Sequence, residues 1–370
     1  MRVSLLASQL AAFPRDFWDS AECEVLVMKT WAQGREAELA FLRKHLPDLS
    51  RHVWLATSGT LATAGESSWI AISKEALLAS AAAVNAHLDA TREEAWGLNL
   101  PLAHVSGLGI LARAHLSGAP VIELMPERWD PTRLLSFTGQ HLSLVPTQVF
   151  DLVNLNIASP KTLRTVVVGG DRLPSDLYEK ARALGWPVRP SYGMTECGSQ
   201  IATADGVNET LRLLSHIEAR TDEDERLWLS GPALFTGRAL VKDQKLTWVP
   251  RTESWWGTSD RAQLAGTELK LLGRLDSVVK VRGEKVDLAQ LEEKLRAFGV
   301  VIVPITDARD GAKLWAVSER AVEIAELNAG LLPHQRMTGV KVMNPFPRSA
   351  LGKIKRGEVR QWLESSVGVN

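Results

Sequence analysis

Residues 163–203 read LRTVVVGGDRLPSDLYEKARALGWPVRPSYGMTECGSQIAT. The β-branched run Thr165–Val168 ends in the pair Gly169–Gly170, the pattern of a buried strand running into a turn. LPSDLYEKARALG follows with apolar residues at helical spacing and closes at Gly185, the residue type that commonly ends helices. PVRPSYG is a second strand that runs into a loop. Strand, helix, strand in that order predicts parallel strands joined by a helical crossover.

The alternation extends outward. Glu75–Asp89 is Ala-rich with helical spacing, Pro120–Leu124 (PVIEL) reads as a strand, and DPTRLLSF as a helix opened by Asp130 with Pro131 in its first turn. HLSLV and PTQVFDLVN repeat the pair before residue 163. The expected fold class is therefore α/β, with mostly parallel sheets flanked by helices. A chain of 370 residues exceeds the size at which one core stops growing, so two domains are expected. Near residue 273 the pattern changes to strand, charged turn, short strand, Gly-containing turn and amphipathic helix (LKLLGRLDSVVKVRGEKVDLAQLEEKLRAFG), with further strands at Val300–Ile305 and Leu314–Val317. This predicts a large N-terminal domain over residues 1–273 and a small α+β domain over 274–370, with the boundary between Gly273 and Asp276.

Lys plus Arg and Asp plus Glu both number 43, and a zero net charge argues against a nucleic-acid or membrane-surface partner. Two distant cysteines, Cys23 and Cys197, fit a reducing, cytoplasmic setting better than a disulfide framework. The opening MRVSLLASQLAAF is interrupted by Ser and Gln and reads as the start of the fold, and no apolar run is long enough to span a membrane.

Candidate chemistry starts where the second strand ends. Gly193 permits a sharp turn, and Thr195 and Glu196 then present a hydroxyl and a carboxylate at a strand's C-terminal end, where open α/β sheets bind ligands. Tyr192 offers a flat face for a base, and Glu196 an oxygen ligand for Mg²⁺. Taken alone, a turn with a solvated glutamate would explain the same residues. Asp260, on a turn in WWGTSDRAQL, could accept both hydroxyls of a ribose. Thr57-Ser58-Gly59-Thr60 follows an apolar run and can surround a phosphate with hydroxyl and N–H donors.

Together with GRLDSVVKVRGEKVDLAQLEEKL and PRSALGKIKRGEV, these segments resemble, in order, the adenylate-forming superfamily of acyl-CoA synthetases, luciferases and peptide-synthetase adenylation domains. HVSGLGIL, SLVPTQ and SYGMTE with SQI are similar to the o-succinylbenzoate–CoA ligases of menaquinone synthesis. The resemblance implies an ATP- and Mg²⁺-dependent ligase that makes an acyl-adenylate from a small carboxylic acid and passes the acyl group to CoA. It implies phosphate contacts from Thr57, Ser58, Gly59 and Thr60, an adenine side formed by Gly169, Gly170 and Asp171, and a floor of Ser191, Tyr192 and Gly193. Thr195 would touch the α-phosphate, Glu196 would hold Mg²⁺, Asp260 and Arg274 would bind ribose, and His104, Ser106, Thr147, Gly193 and Ser199 would line the acyl pocket. Asp276 would be the hinge of a mobile C-terminal domain carrying the catalytic Lys353. A homodimer is compatible with this reading. The rivals are a ligase for another aryl or acyl acid, and a non-catalytic nucleotide- or acyl-binding relative. Cys197, beside Glu196 with no base nearby, reads as filler.

The sequence departs from the family in three places. TSGTLATAGESSW, residues 57–69, has no lysine, and Ser68 falls near the place where the family has one. Ser259 stands where glycine usually precedes the ribose aspartate, and little more than fifty residues precede the phosphate loop.

Overall fold

The structure is a computed structural model that describes residues 2–6, 10–28, 32–33, 35–57, 66–124, 129–348, 352 and 354–367. Four strands open the chain: β1 (Arg2–Leu6), β2 (Glu24–Met28), β3 (His52–Ala56) and β4 (Glu66–Ser73). β1, β2 and β3 are parallel neighbours, and α1 (Glu36–His45) lies between β2 and β3 in the chain. β4 turns back antiparallel to β3 and leads into α2 (Lys74–Leu88), whose first turn is capped by Ser73 Oγ accepting from the Ala76 amide.

The alternating region follows as β5 (Trp96–Leu98), α3 (Val105–Ser117), β6 (Val121–Glu123), β7 (His141–Leu144), α4 (Pro146–Asn154), β8 (Thr165–Val168), α5 (Ser175–Ala183) and β9 (Val188–Met194). Its strands are parallel in the order β9-β8-β7-β5-β6. The segment opened by Asp130 forms a short 3₁₀ helix, Pro131–Ser136, with Asp130 Oδ1 accepting from the Thr132 amide.

Beyond Met194 the helices give way to turns: β10 (Ser199–Ala204), β11 (Leu211–Leu213), β12 (Glu218–Thr221), β13 (Arg226–Ser230), β14 (Gly237–Lys242), β15 (Lys245–Pro250), β16 (Trp256–Ala265) and β17 (Glu268–Arg274). Short turns join antiparallel neighbours, and among the described residues up to Arg274 parallel pairing is confined to β1–β3 and β5–β9. β10–β13, β16 and β17 extend the parallel set into an eleven-stranded sheet, and β14 and β15 join β4 at the far side of the six-stranded sheet. α2 and α3 pack between the sheets: Leu77 and Val84 of α2 and Leu108 and Ile110 of α3 share one core with Val53 and Leu55 of β3 and Trp96 of β5. Burial from both sides explains why both helices are apolar nearly all round.

After β17 a smaller α+β unit begins with the hairpin β18 (Val278–Val281) and β19 (Glu284–Asp287), then α6 (Leu288–Lys294). β20 (Val300–Asp307) and β21 (Gly311–Ser318) are antiparallel, α7 (Ile324–Asn328) follows, β22 (Met337–Val342) runs parallel to β21, and α8 (Arg356–Val367) closes the unit. The alternation of β20 splits its core in two. Ile302 packs with Leu291 of α6, while Val301 and Val303 pack with Val359 and Leu363 of α8. Among the described residues no helix is long and apolar enough to cross a membrane.

Candidate active site

The carboxyl ends of β7, β8 and β9 open into one cleft of about 2800 Å³, walled on its other sides by β4, β14, β16 and the small unit. The loop after β8 brings Gly169, Gly170 and Asp171 to its rim, and Ser191 of β9 hydrogen-bonds back to the Val168 carbonyl at 3.3 Å. β9 and β10 then cross very closely. A Cβ on Gly193 would stand 1.8 Å from the Ser199 carbonyl oxygen, so only glycine fits, and Ser199 itself is held at φ +124°. The 3₁₀ turn between those strands, Thr195–Cys197, aims Thr195 and Glu196 into the cleft and buries Cys197 completely, which fits its reading as filler.

At this end the groups are coupled. The Tyr192 hydroxyl donates to Asp260 Oδ2 at 2.5 Å, and Arg274 Nη1 donates to Asp260 Oδ1 at 3.3 Å. Arg274 also grips Asp276 in a two-pronged pair, Nε to Oδ1 at 2.8 Å and Nη2 to Oδ2 at 2.7 Å. Burial, reinforced by the adjacent Asp260 carboxylate, holds the Tyr192 phenol well above its usual range, and the Asp276 contact raises Arg274. Asp260 is therefore a fixed acceptor between a donor from β9 and one from the end of β17. Asp260 and Arg274 are also directly opposed across β16 and β17.

Glu196 faces the cleft, and among the described residues no other side chain hydrogen-bonds to its carboxyl group. Burial pushes that group up, and the Arg238 guanidinium opposes the shift. No cluster of three His, Cys, Asp or Glu side chains among the described residues could hold a metal ion. A lone carboxylate suits Mg²⁺ only if phosphate oxygens and water complete the shell, which is how Mg²⁺ commonly binds beside nucleotides.

The other end of the cleft is framed by α3. His104 caps that helix: its Nδ1 accepts from the Ser106 amide at 3.4 Å and lies 3.0 Å from Ser106 Oγ. Accepting at Nδ1 puts the proton of the neutral ring on Nε2, and burial lowers its pKa to about 4, so it is neutral at pH 7. Thr147 stands at the start of α4, and a Cβ on Gly352 of the small unit would lie 2.9 Å from its Oγ1. The small unit also reaches across through Arg296 to Asp176 (2.7 Å) and Arg172 to Glu293 (3.6 Å).

Arg113, in the middle of α3, carries a signal that the sequence reading missed. It is 2% exposed, yet it lines the cleft and among the described residues has no carboxylate partner. Nε donates to the Gly109 carbonyl at 2.7 Å, Nη1 to Ser143 Oγ at 3.4 Å, and the group lies over the Trp96 ring at 4.6 Å. Burial lowers it to about 9, which leaves it cationic at neutral pH. Gly109 forms a notch beside it: a Cβ there would meet Ser199 Oγ at 3.2 Å and Arg113 Nη2 at 3.3 Å. Ser199, expected in the acyl pocket, thus converges with Arg113 on one spot.

Thr57 directly follows β3, and its amide donates to the Ser68 carbonyl at 2.9 Å. Ser58, Gly59, Thr60 and Lys353 fall outside the described residues. The other expected site residues line this one cleft.

A family described as "AMP-binding enzyme" matches residues 56–254, more than half of the chain. A 2-succinylbenzoate–CoA ligase of Salmonella typhimurium is 32% identical over 301 residues, covering 78% of this chain and 64% of the relative. The chain therefore spans just under two thirds of that relative's length. Among solved structures, an Escherichia coli MenE variant with bound OSB-AMS aligns with a TM-score of 0.69 at 27% identity, over 85% of this chain and 69% of that one. The Bacillus subtilis o-succinylbenzoate CoA synthetase in complex with the acyl-adenylate OSB-AMP aligns with a TM-score of 0.74 over 91% of this chain and 83% of that one; at 19% identity it is a likeness of fold.

Proposed function

The chain belongs to the family of AMP-binding enzymes, and from that premise we propose that it is an ATP-dependent ligase that joins o-succinylbenzoate to CoA through an acyl-adenylate. The observation that carries the choice of acid is Arg113, a buried cation in the cleft wall with no carboxylate partner among the described residues. o-Succinylbenzoate has two carboxylates. One is activated, and the other must be held as an anion in a dry pocket, which requires a buried cation. Ser199 and Ser143 beside Arg113 can donate to the same group.

In this reading the activated carboxylate attacks the α-phosphorus of ATP, the bond to the bridging oxygen breaks, and pyrophosphate leaves. Thr195 donates to the α-phosphate, where charge builds in the transition state. Asp260, fixed by Tyr192 and Arg274, accepts from the ribose hydroxyls, while Gly169–Asp171 and Ser191–Gly193 bracket the base. Mg²⁺, held by Glu196 and the phosphates, would neutralise charge on the triphosphate. His104, neutral with its Nε2 proton free, and Ser106 and Thr147 line the acyl side.

The second step needs a different surface over the same adenylate, because CoA sulfur must reach the carbonyl carbon that the first step buried. The domain division at 273/274, a hinge at Asp276 and a catalytic Lys353 on the mobile unit belong to this proposal. The contact of Gly352 with Thr147 supports an arrangement suited to adenylation, since Gly352 immediately precedes Lys353 in the chain. Such an enzyme would work in the cytoplasm, where ATP, CoA and reduced cysteines coexist, and as a homodimer. The test is pyrophosphate release from ATP with a panel of carboxylic acids, with and without CoA. o-Succinylbenzoate should give the highest kcat/KM, and release with no acid in the panel would leave only a binding function.

A further inference from the structure

Segment 57–67, TSGTLATAGES, holds no lysine or arginine, and its single charged residue is Glu66. A triphosphate nonetheless needs cationic contacts beyond one divalent ion when its bridging bond breaks. The wall that continues from this segment is the β4–β14 pair, with Arg238 opposite Ile70, Leu240 opposite Ser68 and Lys242 opposite Glu66. Gly237, Ala239 and Val241 are buried, so Arg238, Leu240 and Lys242 share the other face of β14, and all three line the cleft with Ser68.

Arg238 differs from Arg274 and Arg356, which line the same cleft. Arg274 is committed to Asp260 and Asp276, and Arg356 to Glu292. Among the described residues, nothing forms a hydrogen bond or ion pair with the Arg238 side chain. The Phe235 amide, three residues upstream, donates to the Glu196 carbonyl at 2.8 Å and fixes β14 against the turn that carries Thr195 and Glu196. Arg238 thus stands on a strand that is tied at its start to the Glu196 turn and paired along its length with β4, and its side chain lines the same cleft as Glu196.

We propose that Arg238 binds the β- and γ-phosphates of ATP and stabilises the departing pyrophosphate, supplying from β14 the cation that the loop lacks. This rests on the ATP-dependent reading above. No bond to Arg238 forms or breaks: the acid oxygen bonds to the α-phosphorus, the α–β bridging oxygen leaves with pyrophosphate, and the guanidinium donates hydrogen bonds to the leaving group throughout. Ser68 lies diagonally across the strand pair from Arg238 on the same face, so a cation placed at Ser68 would reach the same phosphates.

The test is calorimetric titration of the full chain with Mg·ATP, Mg·pyrophosphate and AMP, for wild type, Arg238→Ala and the uncharged polar control Arg238→Gln. Losing a charge-assisted contact should weaken ATP and pyrophosphate binding by roughly 10- to 100-fold in both variants, with AMP affinity unchanged because AMP has neither phosphate. Arg238→Lys should keep most of the affinity, and adding Ser68→Lys to Arg238→Ala should restore part of it. ATP and pyrophosphate affinities that survive in Arg238→Gln, or an equal loss for AMP, would overturn the proposal while the ligase reading stands. A wild-type protein that binds neither ATP nor AMP would overturn both.

Discussion

Replacing Arg113 with leucine should separate activity from stability. If the guanidinium holds the substrate's second carboxylate, Arg113→Leu leaves that carboxylate buried and unpaired. Truncating one partner of a buried, hydrogen-bonded charge pair costs about 2–5 kcal/mol, or roughly 30- to 4000-fold in kcat/KM. The fold has little to lose. Arg113 is 2% exposed and among the described residues has no carboxylate partner, and replacing a buried charge that lacks a counter-ion with an apolar side chain is often neutral or stabilising. Losing the contact with Trp96, now 4.6 Å from the guanidinium, works the other way by about 0.5–2 kcal/mol. Unfolding free energy should therefore stay within about 2 kcal/mol of wild type. The assay is pyrophosphate release with o-succinylbenzoate and with 3-benzoylpropionate, which keeps the activated carboxylate and lacks the ring carboxylate. The variant should lose the first activity and keep, or improve, the second. An equal loss with both acids would refute the role of Arg113, because a general disturbance of the cleft does not distinguish them.

Three further outcomes are expected. Lys353→Ala should slow acyl-adenylate formation by roughly 100-fold or more, the scale of losing one preorganised donor, and leave thioester formation from supplied adenylate much less affected; equal losses in the two half-reactions contradict the role. Asp276→Pro fixes φ and removes the carboxylate that Arg274 grips, so the two half-reactions should be impaired unequally, and wild-type rates in both would dismiss a hinge there. His104, His141 and His216 are each lowered to about 4 by burial. In the unfolded chain they titrate near 6.5, so below that pH the unfolded state binds more protons and stability falls as the pH drops from about 6.5 toward 4. Urea midpoints should decline steadily across that window, and a flat profile would mean these rings are not buried neutral.

What could be read from the sequence follows from what each element presents locally. β8, α5 and β9 are punctuated by glycine and proline and carry clean periods, and they lie where the sequence indicates. β12 (EART) and β15 (KLTWVP) are half-exposed hairpin strands with mixed faces, and their pairing is decided by neighbours distant in sequence. The motif residues converge because they sit at strand ends, and ends are marked by turn chemistry. Arg113 and Arg238 were missed for the opposite reason. Each interrupts a regular element, VSGLGILARAHLS and GRALVK, where an isolated arginine reads as surface. Their significance lies in missing partners, and a missing partner is visible only in three dimensions. The signal available for Arg113 was a cation on the otherwise apolar side of a helix.

A cleft that makes a thioester by way of AMP leaves a defined set of products. The direct measurement is mass-spectrometric analysis of a reaction containing the protein, Mg²⁺, ATP, CoA and o-succinylbenzoate, with each component omitted in turn. The complete mixture should yield o-succinylbenzoyl-CoA and AMP in equal amounts, and enzyme-bound acyl-adenylate should accumulate when CoA alone is left out. ADP in place of AMP, or no thioester while a well-folded protein still binds AMP, would contradict that route.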